Sequence, residues 1–486
     1  MNHFDVIIIG AGLSGIGAAC HLSRSQPTKT FTIIESRDAM GGTWDLFRYP
    51  GIRSDSDMHT LGYSFKPWRN KKAIADGTAI SEYIHETAAE YALEKHIQYQ
   101  SRVLSAAWDS SRAIWTLSIE CSGTEGEVTH QEFTCHFIYS CTGYYRYDKG
   151  YTPDFPAAEQ FKGQVVHPQQ WPQDLDYSGK RVVIIGSGAT AITLVPAMAK
   201  SASHVTMLQR SPTYVISRPD IDTLSRALGK ILPDKLAYGL TRWKNVSLQA
   251  LMFQLSRRCP KLVKALLRRS ARHWLGADFD VDTHFNPDYN PWDQRLCLVP
   301  NADLFRSLRK GTSSIVTDHI ARFSEHGIHL KSGDFLEADI VVTATGLELL
   351  VLGGMQLFVD NQPVVIPEAV GYKGMMFSDV PNFALAAGYT NASWTLKCDL
   401  TSEYVCRLLA YMDSHNYQYC VPRMTDPQVQ RIPFLDLSSG YVERALDQFP
   451  KQGDRAPWRL HQNYLLDILN LRGGALQDKA LQFYRL

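Results

Sequence analysis

Two glycine-rich segments have residue types and spacing that suit dinucleotide binding. The segment GAGLSG at 10–15 has the pattern GxGxxG, and GSGATA at 186–191 repeats it with alanine in the third place. The first glycine permits a tight turn, the second lets a pyrophosphate approach the backbone, and the third lets helix and strand pack closely. The helix that follows offers unpaired N–H groups to the phosphates. We therefore predict two dinucleotide sites.

The residues at the ends of the following strands indicate which nucleotide each site takes. Glu35 closes the strand after the first motif, where its carboxylate can accept hydrogen bonds from both ribose hydroxyls. Gln209 and Arg210 stand at the corresponding place after the second motif. A guanidinium binds a 2′-phosphate that a carboxylate would repel, which favours NADP over NAD. Two such sites in one chain suggest that NADPH delivers hydride to an FAD in the first site.

Buried parallel strands and helices must position these motifs. The apolar run 5–9 predicts a strand, which is followed by the glycine turn, a helix to about residue 23 and a strand at 30–35. The second unit repeats this order with strands at 182–185 and 204–209 around a helix to about residue 200. The alternating segments 103–108 and 114–120 predict a small β-meander between the units. SCTG at 140–143 and TATG at 343–346 look like strand ends where the chain passes between domains.

The stretch 224–275 differs in kind, because it reads as helical and holds twelve Lys or Arg against one acid, Asp234. Pro233 and Pro260 are expected to separate its helices. The predicted fold is α/β, with two Rossmann-like dinucleotide-binding domains and a helical insertion in the NADP domain. The predicted boundaries are 1–144 and 350–486 for the FAD domain, 145–217 and 293–349 for the NADP domain, and 218–292 for the insertion.

Composition excludes several classes of protein. The 486 residues are 44% hydrophobic and 20% charged, with a net charge of +1, which disfavours a nucleic-acid binder. Without the stretch 224–275 the remainder holds 38 basic and 48 acidic residues, so near-neutrality conceals a basic patch. The nine cysteines show no CxxC or Cys/His metal pattern, so we predict no metal site and a reduced, cytoplasmic location. No run approaches about 20 apolar residues.

The cysteines also narrow the flavin chemistry. A dithiol reductase needs a closely spaced redox pair, whereas Cys135 and Cys141 are six residues apart and are expected to be core thiols. Oxidases, dehydrogenases and monooxygenases remain open at this point.

The segment FKGQVVHPQQWP at 161–172 matches FxGxxxHxxxWP through Phe161, Gly163, His167 and Trp171. It resembles the fingerprint of Baeyer–Villiger monooxygenases among the class B flavin monooxygenases, whose N- and S-oxygenating members usually have another aromatic residue in place of the tryptophan. Further segments carry the resemblance over essentially the whole chain: GGTW at 41–44, RYPGIRSD at 48–55, QRSP at 209–212, QRLC at 294–297 and ATG at 344–346. Several stretches are similar to the branch that contains the ethionamide-activating monooxygenase.

The resemblance implies roles for particular residues. Arg295 would be the fixed cation beside the flavin peroxide and the tetrahedral adduct, and Asp55 would pair with it and hold its orientation. His167 would act in the link between domains rather than in catalysis. The implied FAD contacts are Gly10, Gly12, Ser14, Gly15, Glu35, Thr43, Trp44, Asp45, Leu46, Asp55 and Val103. The implied NADP contacts are Arg53, Ser54, Gly186, Ser187, Gly188, Ala189, Thr190, Ala191, Ile192, Gln209 and Arg210.

One departure from the family pattern concerns Gln294, where many relatives have Lys before the catalytic Arg. If that Lys selects NADP over NAD in the relatives, the selection in this chain depends more on Arg210. Trp394 and Trp458 are aromatic candidates near the substrate or nicotinamide, with core packing as the plainer interpretation.

The resemblance implies an NADPH- and O2-dependent FAD monooxygenase that converts ketones to esters or lactones and oxidises sulfides or thioamides. Two alternatives stay open: an N- or S-hydroxylating class B enzyme, and a flavin-binding redox sensor without turnover. The basic segment 224–275 has two open interpretations. It is a solvated basic face, or one paired with acids elsewhere in the fold; alternatively it is a peripheral contact with anionic lipid, because Leu262, Leu266 and Leu267 alternate with arginines. The sequence does not indicate an oligomeric state.

Overall fold

The computed structural model describes residues 2–123, 126–435 and 437–486. Two sheets dominate it. A nine-stranded sheet has the spatial order Gln362–Pro363, Gln356–Val359, Ser101–Asp109, Ile114–Ser122, Val128–Ser140, Asn2–Ile9, Phe31–Ile34 and Ile97–Gln98, with Phe383–Leu385 also paired to Val128–Ser140. A five-stranded sheet has the order Ser313–Thr317, His204–Gln209, Arg181–Ile185, Ile340–Thr343 and Gln164–Val166. The predicted α/β class with two dinucleotide-binding units is confirmed.

Both glycine motifs follow a parallel strand whose last four residues are buried, as the apolar runs predict. Asn2–Ile9 lies between Phe31–Ile34 and Val128–Ser140, and all three strands are parallel. Arg181–Ile185 occupies the same central place in the second sheet, between His204–Gln209 and Ile340–Thr343. Apolar side chains cover both faces of these strands, which explains why the sequence shows continuous apolar runs rather than alternation.

Helices cover the sheets and form the segment between the strands at 215–218 and 297–300. The helices are Leu13–Ser25, Thr43–Leu46, Met58–Leu61, Gly77–Glu90, Ala189–Met198, Thr223–Leu228, Asp234–Arg258, Pro260–Leu275, Val281–His284, Asp303–Arg309, Trp394–Ser414, Gly440–Glu443 and Tyr464–Asp467, the last continuing as a π-helix at Ile468–Arg472. Pro233 precedes the 25-residue helix and Pro260 begins the next, as predicted. In the described part of the chain no helix is long and apolar enough to cross a membrane.

Short strands complete the molecule and join the two sheets. Tyr145–Gly150 pairs with Leu347–Leu349, so the two connections between the sheets run side by side. The other small sheets pair Val215–Arg218 with Cys297–Pro300, Tyr419–Pro422 with Leu481–Tyr484, Arg431–Pro433 with Lys451–Gly453, Gly371–Tyr372 with Met376–Phe377, and Ile320–Ser324 with Gly327–Leu330 and Phe335–Glu337. The domain boundaries stay a prediction.

Candidate active site

A cavity of about 450 Å³ lies at the carboxyl edge of the nine-stranded sheet. The first glycine motif and Glu35 line it, and so do Asp55, Arg295 and Trp394. The predicted dinucleotide motif and the predicted catalytic residues, which are up to 285 positions apart in the chain, therefore share one space.

The glycine turn at 10–15 has the geometry of a phosphate cradle. Gly10 has φ +102°, and a Cβ there would lie 2.7 Å from the carbonyl oxygen of Cys141. A Cβ on Gly15 would lie 1.8 Å from the carbonyl oxygen of Gly10, so neither position accepts a side chain. The helix Leu13–Ser25 begins at Gly12 without a side-chain cap, which leaves its first N–H groups free to bind an anion. This backbone fits the pyrophosphate of a dinucleotide.

Glu35 is oriented by the same turn. One carboxylate oxygen accepts the N–H of Ala11 at 2.7 Å, and the other accepts the N–H of Arg37 at 2.9 Å. Burial raises the pKa of Glu35, and these hydrogen bonds oppose that rise. The hydroxyl of Ser36 donates to the carboxylate as well, at a long 3.4 Å. A carboxylate offers about four lone-pair positions, so one remains for a ribose hydroxyl of a nucleotide in the cavity.

Arg295 is held on the loop that precedes the strand Cys297–Pro300. Trp292 has φ +72°, and residues 291 and 294 form an isolated bridge, so the chain turns sharply just before the arginine. Asp293 anchors this loop through Arg257 at 2.9 Å. The Nε of Arg295 donates to the carbonyl oxygen of Thr390, at a long 3.4 Å. The guanidinium thus reaches the cavity from a loop fixed at both ends.

The surroundings of Arg295 keep it charged. Burial lowers the pKa of Arg295, but Asp55, Tyr144 and Tyr441 raise it, and the net shift is upward. The predicted direct pairing with Asp55 is not seen, because no ion pair within 4.0 Å joins the two in the described chain. Asp55 is exposed and also lines the cavity, so it acts on the guanidinium across that space rather than by contact.

Trp394 closes the cavity beside the glycine motif. Its indole N–H donates to the hydroxyl of Ser14 at 2.8 Å, and its ring lies 5.1 Å from that of Tyr144. A Cβ on Gly388 would lie 2.3 Å from the indole, so the ring is packed tightly on that backbone. Trp394 is thus a cavity wall, whereas Trp458 is buried in the core against Tyr372.

The segment 48–55 connects the two dinucleotide units. A Cβ on Gly51 would meet Ala197 at 2.7 Å, so this turn lies directly against the helix Ala189–Met198 of the second unit. Arg53 donates to Asp303 at 2.6 Å, and Ser54 is buried in the cavity wall next to Asp55. Asp55 therefore ends a segment that contacts both units.

The second glycine motif repeats the first but is open to solvent. Gly186 has φ +137°, and a Cβ there would lie 2.3 Å from the carbonyl oxygen of Ala344. Gly10 has the same kind of close contact with the carbonyl oxygen of Cys141. The helix Ala189–Met198 begins at Gly188 without a side-chain cap. A Cβ on Gly188 would find no atom within 4 Å, and Arg210 is exposed with no acidic partner within 4.0 Å in the described ranges. This arrangement fits a second dinucleotide with a phosphate near Arg210.

Several residues implied by the resemblance lie away from the cavity. Asp45 binds Arg37 and Arg48 at 2.6 and 3.1 Å, and Leu46 lies beyond the wall made by Thr43 and Trp44. Arg53 is committed to Asp303, so its guanidinium is occupied by an ion pair.

In the second unit, too, some of the implied residues have side chains that point away from the proposed nucleotide site. Gln209 is buried, and its amide donates to the carbonyl of His284 at 2.9 Å and to the hydroxyl of Thr317 at 2.8 Å. It is directed into the core because it ends a central strand. Ala191 and Ile192 are also buried, so only their backbone can meet a nucleotide, whereas Ser187, Ala189 and Thr190 remain at the turn. Val103 lines the first cavity as implied.

The fingerprint residues lie in the second unit, and His167 among them reaches the connection to the first. Phe161 is buried, and a Cβ on Gly163 would lie 2.4 Å from the carbonyl oxygen of Asp339. His167 accepts the N–H of Gln169 at 3.2 Å and lies 3.3 Å from the carbonyl oxygen of Gly346, in the connection between the sheets. Burial lowers the pKa of His167. Trp171 packs on the second core, so none of the four lines the cavity.

Comparison with known proteins identifies the family. The family described as flavin-binding monooxygenase-like matches residues 4–224. The FAD-containing monooxygenase EthA of Mycobacterium tuberculosis is 52% identical over 483 residues, which cover 99% of this chain and 98% of that protein. The chain belongs to the flavin-binding monooxygenase family. A probable FAD-binding monooxygenase, AlmA of Acinetobacter baylyi, is 51% identical to this flavin-binding monooxygenase over 484 residues, 99% of this chain and 96% of that one.

Solved structures confirm the fold. This flavin-binding monooxygenase is similar to an oxidized steroid monooxygenase bound to NADP, with a TM-score of 0.75 and 20% identity over 100% of both chains. It is also similar to cyclohexanone monooxygenase in an open crystal structure, with a TM-score of 0.77 and 16% identity over 100% of both chains. The resemblance to flavin monooxygenases inferred from the motifs is confirmed by the 52% identity to EthA over the whole chain.

Sequence analysis missed the tyrosines of this flavin-binding monooxygenase. Tyr144 and Tyr145 line the cavity beside Arg295, and Tyr441 influences its charge. Burial raises the pKa of Tyr145 and of Tyr441, and it raises the pKa of the Cys141 thiol as well. A signal existed in SCTGYY, since residues that follow a central strand of a parallel sheet lie at its carboxyl edge. Tyr441 carries no such signal.

Proposed function

We propose that the protein is an NADPH- and O2-dependent Baeyer–Villiger monooxygenase that uses FAD and converts ketones to esters or lactones. The balanced reaction takes ketone, O2, NADPH and a proton to ester, water and NADP⁺. The observation that carries the proposal is the place of Arg295, which lines the same cavity as the glycine motif and Glu35. Oxygenation of sulfides and thioamides by the same site is a second part of the proposal, based on the resemblance.

The first glycine motif, Glu35 and Val103 would hold FAD, and the motif at 186–191 with Arg210 would hold NADPH. When bound and reduced, FAD supplies the activation of O2. The relatives' names, FAD-containing and FAD-binding monooxygenase, support this assignment, as does the NADP-bound steroid monooxygenase with its similar fold.

Arg295 stabilises the negative charge that develops on the carbonyl oxygen of the ketone during oxygen insertion. A guanidinium does not lose its proton at working pH, so it can donate throughout the reaction. In a site from which water is excluded, a fixed hydrogen-bond donor stabilises a developing charge more strongly than the same donor does in water. Asp55 balances this charge across the cavity, and Trp394 excludes water from one wall.

The proposal is tested by steady-state oxidation of NADPH by the full-length protein with FAD, over linear, cyclic and aromatic ketones and a set of sulfides and amines. We expect ketones to stimulate NADPH oxidation and to yield esters or lactones in proportion. Amine or sulfide products without any ester would instead indicate the hydroxylating alternative. No stimulation by any compound would indicate a redox sensor.

A further inference from the structure

The helix Asp234–Arg258, here called the insertion helix, carries an apolar stripe that faces solvent. Leu236, Leu240, Trp243 and Leu251 are 47% to 63% exposed. With a rotation of about 100° per residue, these four positions lie within one stripe of about 80°. The opposite side of the helix, including Tyr238 and Arg242, is buried against the first unit. The stripe is therefore the free face of a firmly docked helix.

The C-terminal helix extends this apolar surface. The ring of Tyr464 lies 6.1 Å from that of Trp243, and Leu465 lines a small cavity together with the insertion helix. Leu465 is 48% exposed, and Leu466 and Leu469 on the same helical segment are exposed as well. We call the set Leu236, Leu240, Trp243, Leu248, Leu251 and Leu465 the leucine surface. Single exposed leucines are common, but a contiguous set of this kind marks an interaction site.

The segment 224–275, which contains the insertion helix, also holds basic residues without acidic partners among the described residues. Five of the twelve basic residues in 224–275 form ion pairs with acids: Arg242, Lys244, Arg257, Arg268 and Arg272. The other seven have no acidic group within 4.0 Å among the described residues: Arg226, Lys230, Lys235, Arg258, Lys261, Lys264 and Arg269. Acids elsewhere in the fold thus pair with only part of the segment, and the interpretation of the remainder as a solvated basic face stays open.

The next helix, Pro260–Leu275, also exposes both apolar and basic residues. Leu262 and Leu266 are exposed, and Arg269 is exposed on the same side of the helix, whereas the exposed Lys261 lies on its flank. Leu267, which the sequence places among the same alternating residues, is buried. The apolar surface accordingly lies more on the insertion helix than on the arginine-rich helix that the sequence indicates.

We propose that the leucine surface docks on an anionic lipid bilayer, with the six exposed unpaired basic residues facing its phosphate groups. The seventh, Lys264, is half-buried and donates to the carbonyl oxygen of Pro287 at 2.7 Å. A leucine and tryptophan face bordered by Lys and Arg is the pattern of a helix lying in a membrane interface. Charge complementarity favours this occupant over a second copy of the chain. A two-fold contact through this surface would place the same basic residues opposite one another without acids to neutralise them. The inference does not depend on the proposed function.

The test is sedimentation of the full-length protein with vesicles of phosphatidylcholine alone and of equal parts phosphatidylcholine and phosphatidylglycerol. We expect at least about tenfold stronger binding to the anionic vesicles at low salt, because basic residues near an anionic surface add to the attraction. The emission of Trp243, taken as the difference between the wild type and Trp243→Phe, should shift to the blue on binding. Binding should weaken in high salt.

Three variants separate the contributions. Leu240→Ser/Trp243→Ser/Leu251→Ser removes the apolar part, and Arg258→Glu/Lys261→Glu/Arg269→Glu reverses the charge. Each should lower vesicle binding by at least about tenfold without changing thermal unfolding, because the residues are exposed. The matched control is Val165→Ser/Phe335→Ser, which removes exposed apolar residues from the second unit and should bind as the wild type does.

Equally weak binding of the wild type to both vesicles would overturn the proposal. An equal loss of vesicle binding in the control variant and in the leucine variant would also overturn it. Concentration-dependent self-association in analytical ultracentrifugation, abolished by the leucine variant, would assign the surface to a second copy of the chain instead.

Discussion

At the scale of single residues, function depends on a few side chains whose surroundings set their charge. Arg295 stays cationic because Asp55 and nearby tyrosines outweigh the cost of its burial. Glu35 is held by two backbone N–H groups, which fix the orientation of its carboxylate. Both were predictable, Glu35 from its place at a strand end and Arg295 from the resemblance. Tyr441 was not, because long-range packing alone brings it close to Arg295.

We expect Arg295→Ala to lower ester formation by about 10²-fold or more, since loss of one donor to a developing oxyanion has that effect. Flavin reduction by NADPH should persist, because Arg295 acts after that step. Anaerobic stopped-flow reduction and product analysis measure the two separately.

Arg295→Lys keeps the charge without the guanidinium geometry and should fall between the wild type and the alanine variant. Arg423→Ala, which removes an exposed partner of Asp379, serves as the control. Full oxygenation by Arg295→Ala would contradict the role of this residue.

At the scale of elements, the two glycine turns are predictable because each depends on local sequence between a buried strand and a helix. Predicted strand ends agree within three residues with Asn2–Ile9 and Arg181–Ile185. The strands Gln356–Val359 and Phe383–Leu385 join the first sheet from the other end of the chain. Their pairing is decided by tertiary packing, which a local pattern does not encode.

Arg181 and Asp339 fix two neighbouring central strands of the second sheet. The carboxylate of Asp339 accepts the backbone N–H of Arg181 at 2.8 Å and its Nη2 at 2.8 Å. Hydrogen bonds from the Arg181 side chain, and then from its backbone, lower the pKa of Asp339 from 3.8 to about 2.

We expect Asp339→Asn to lower the free energy of unfolding by about 1 kcal/mol at pH 7, the upper end for a partly exposed pair. Because the folded pKa is depressed, the contribution is complete above pH 3.8 and is lost as the pH falls toward about 2. Urea unfolding at pH 7, 5 and 3.5 should therefore show a difference from the wild type that narrows only at the lowest pH. Asp334→Asn, on a nearby turn, is the control, and a difference that grows on acidification would refute this account.

At the scale of the whole molecule, the insertion connects the two units while exposing a free face. Arg242 is buried, donates to the carbonyl of Gly62 at 2.8 Å and lies 3.4 Å from Asp399. The net charge of the segment was readable from composition. Composition does not predict which side of each helix is buried, because a basic residue such as Arg242 can be buried in an ion pair or exposed to solvent.

The central claim concerns the transfer of one oxygen atom to a ketone, and a single turnover under ¹⁸O2 tests it most directly. The FAD-loaded protein is reduced by NADPH without oxygen and then mixed with ¹⁸O2 and a cyclic ketone. We predict a lactone that carries one ¹⁸O atom, in an amount that approaches the amount of reduced flavin. Reoxidation of the flavin with hydrogen peroxide as the product, and no labelled lactone or ester from any ketone tested, would contradict the account.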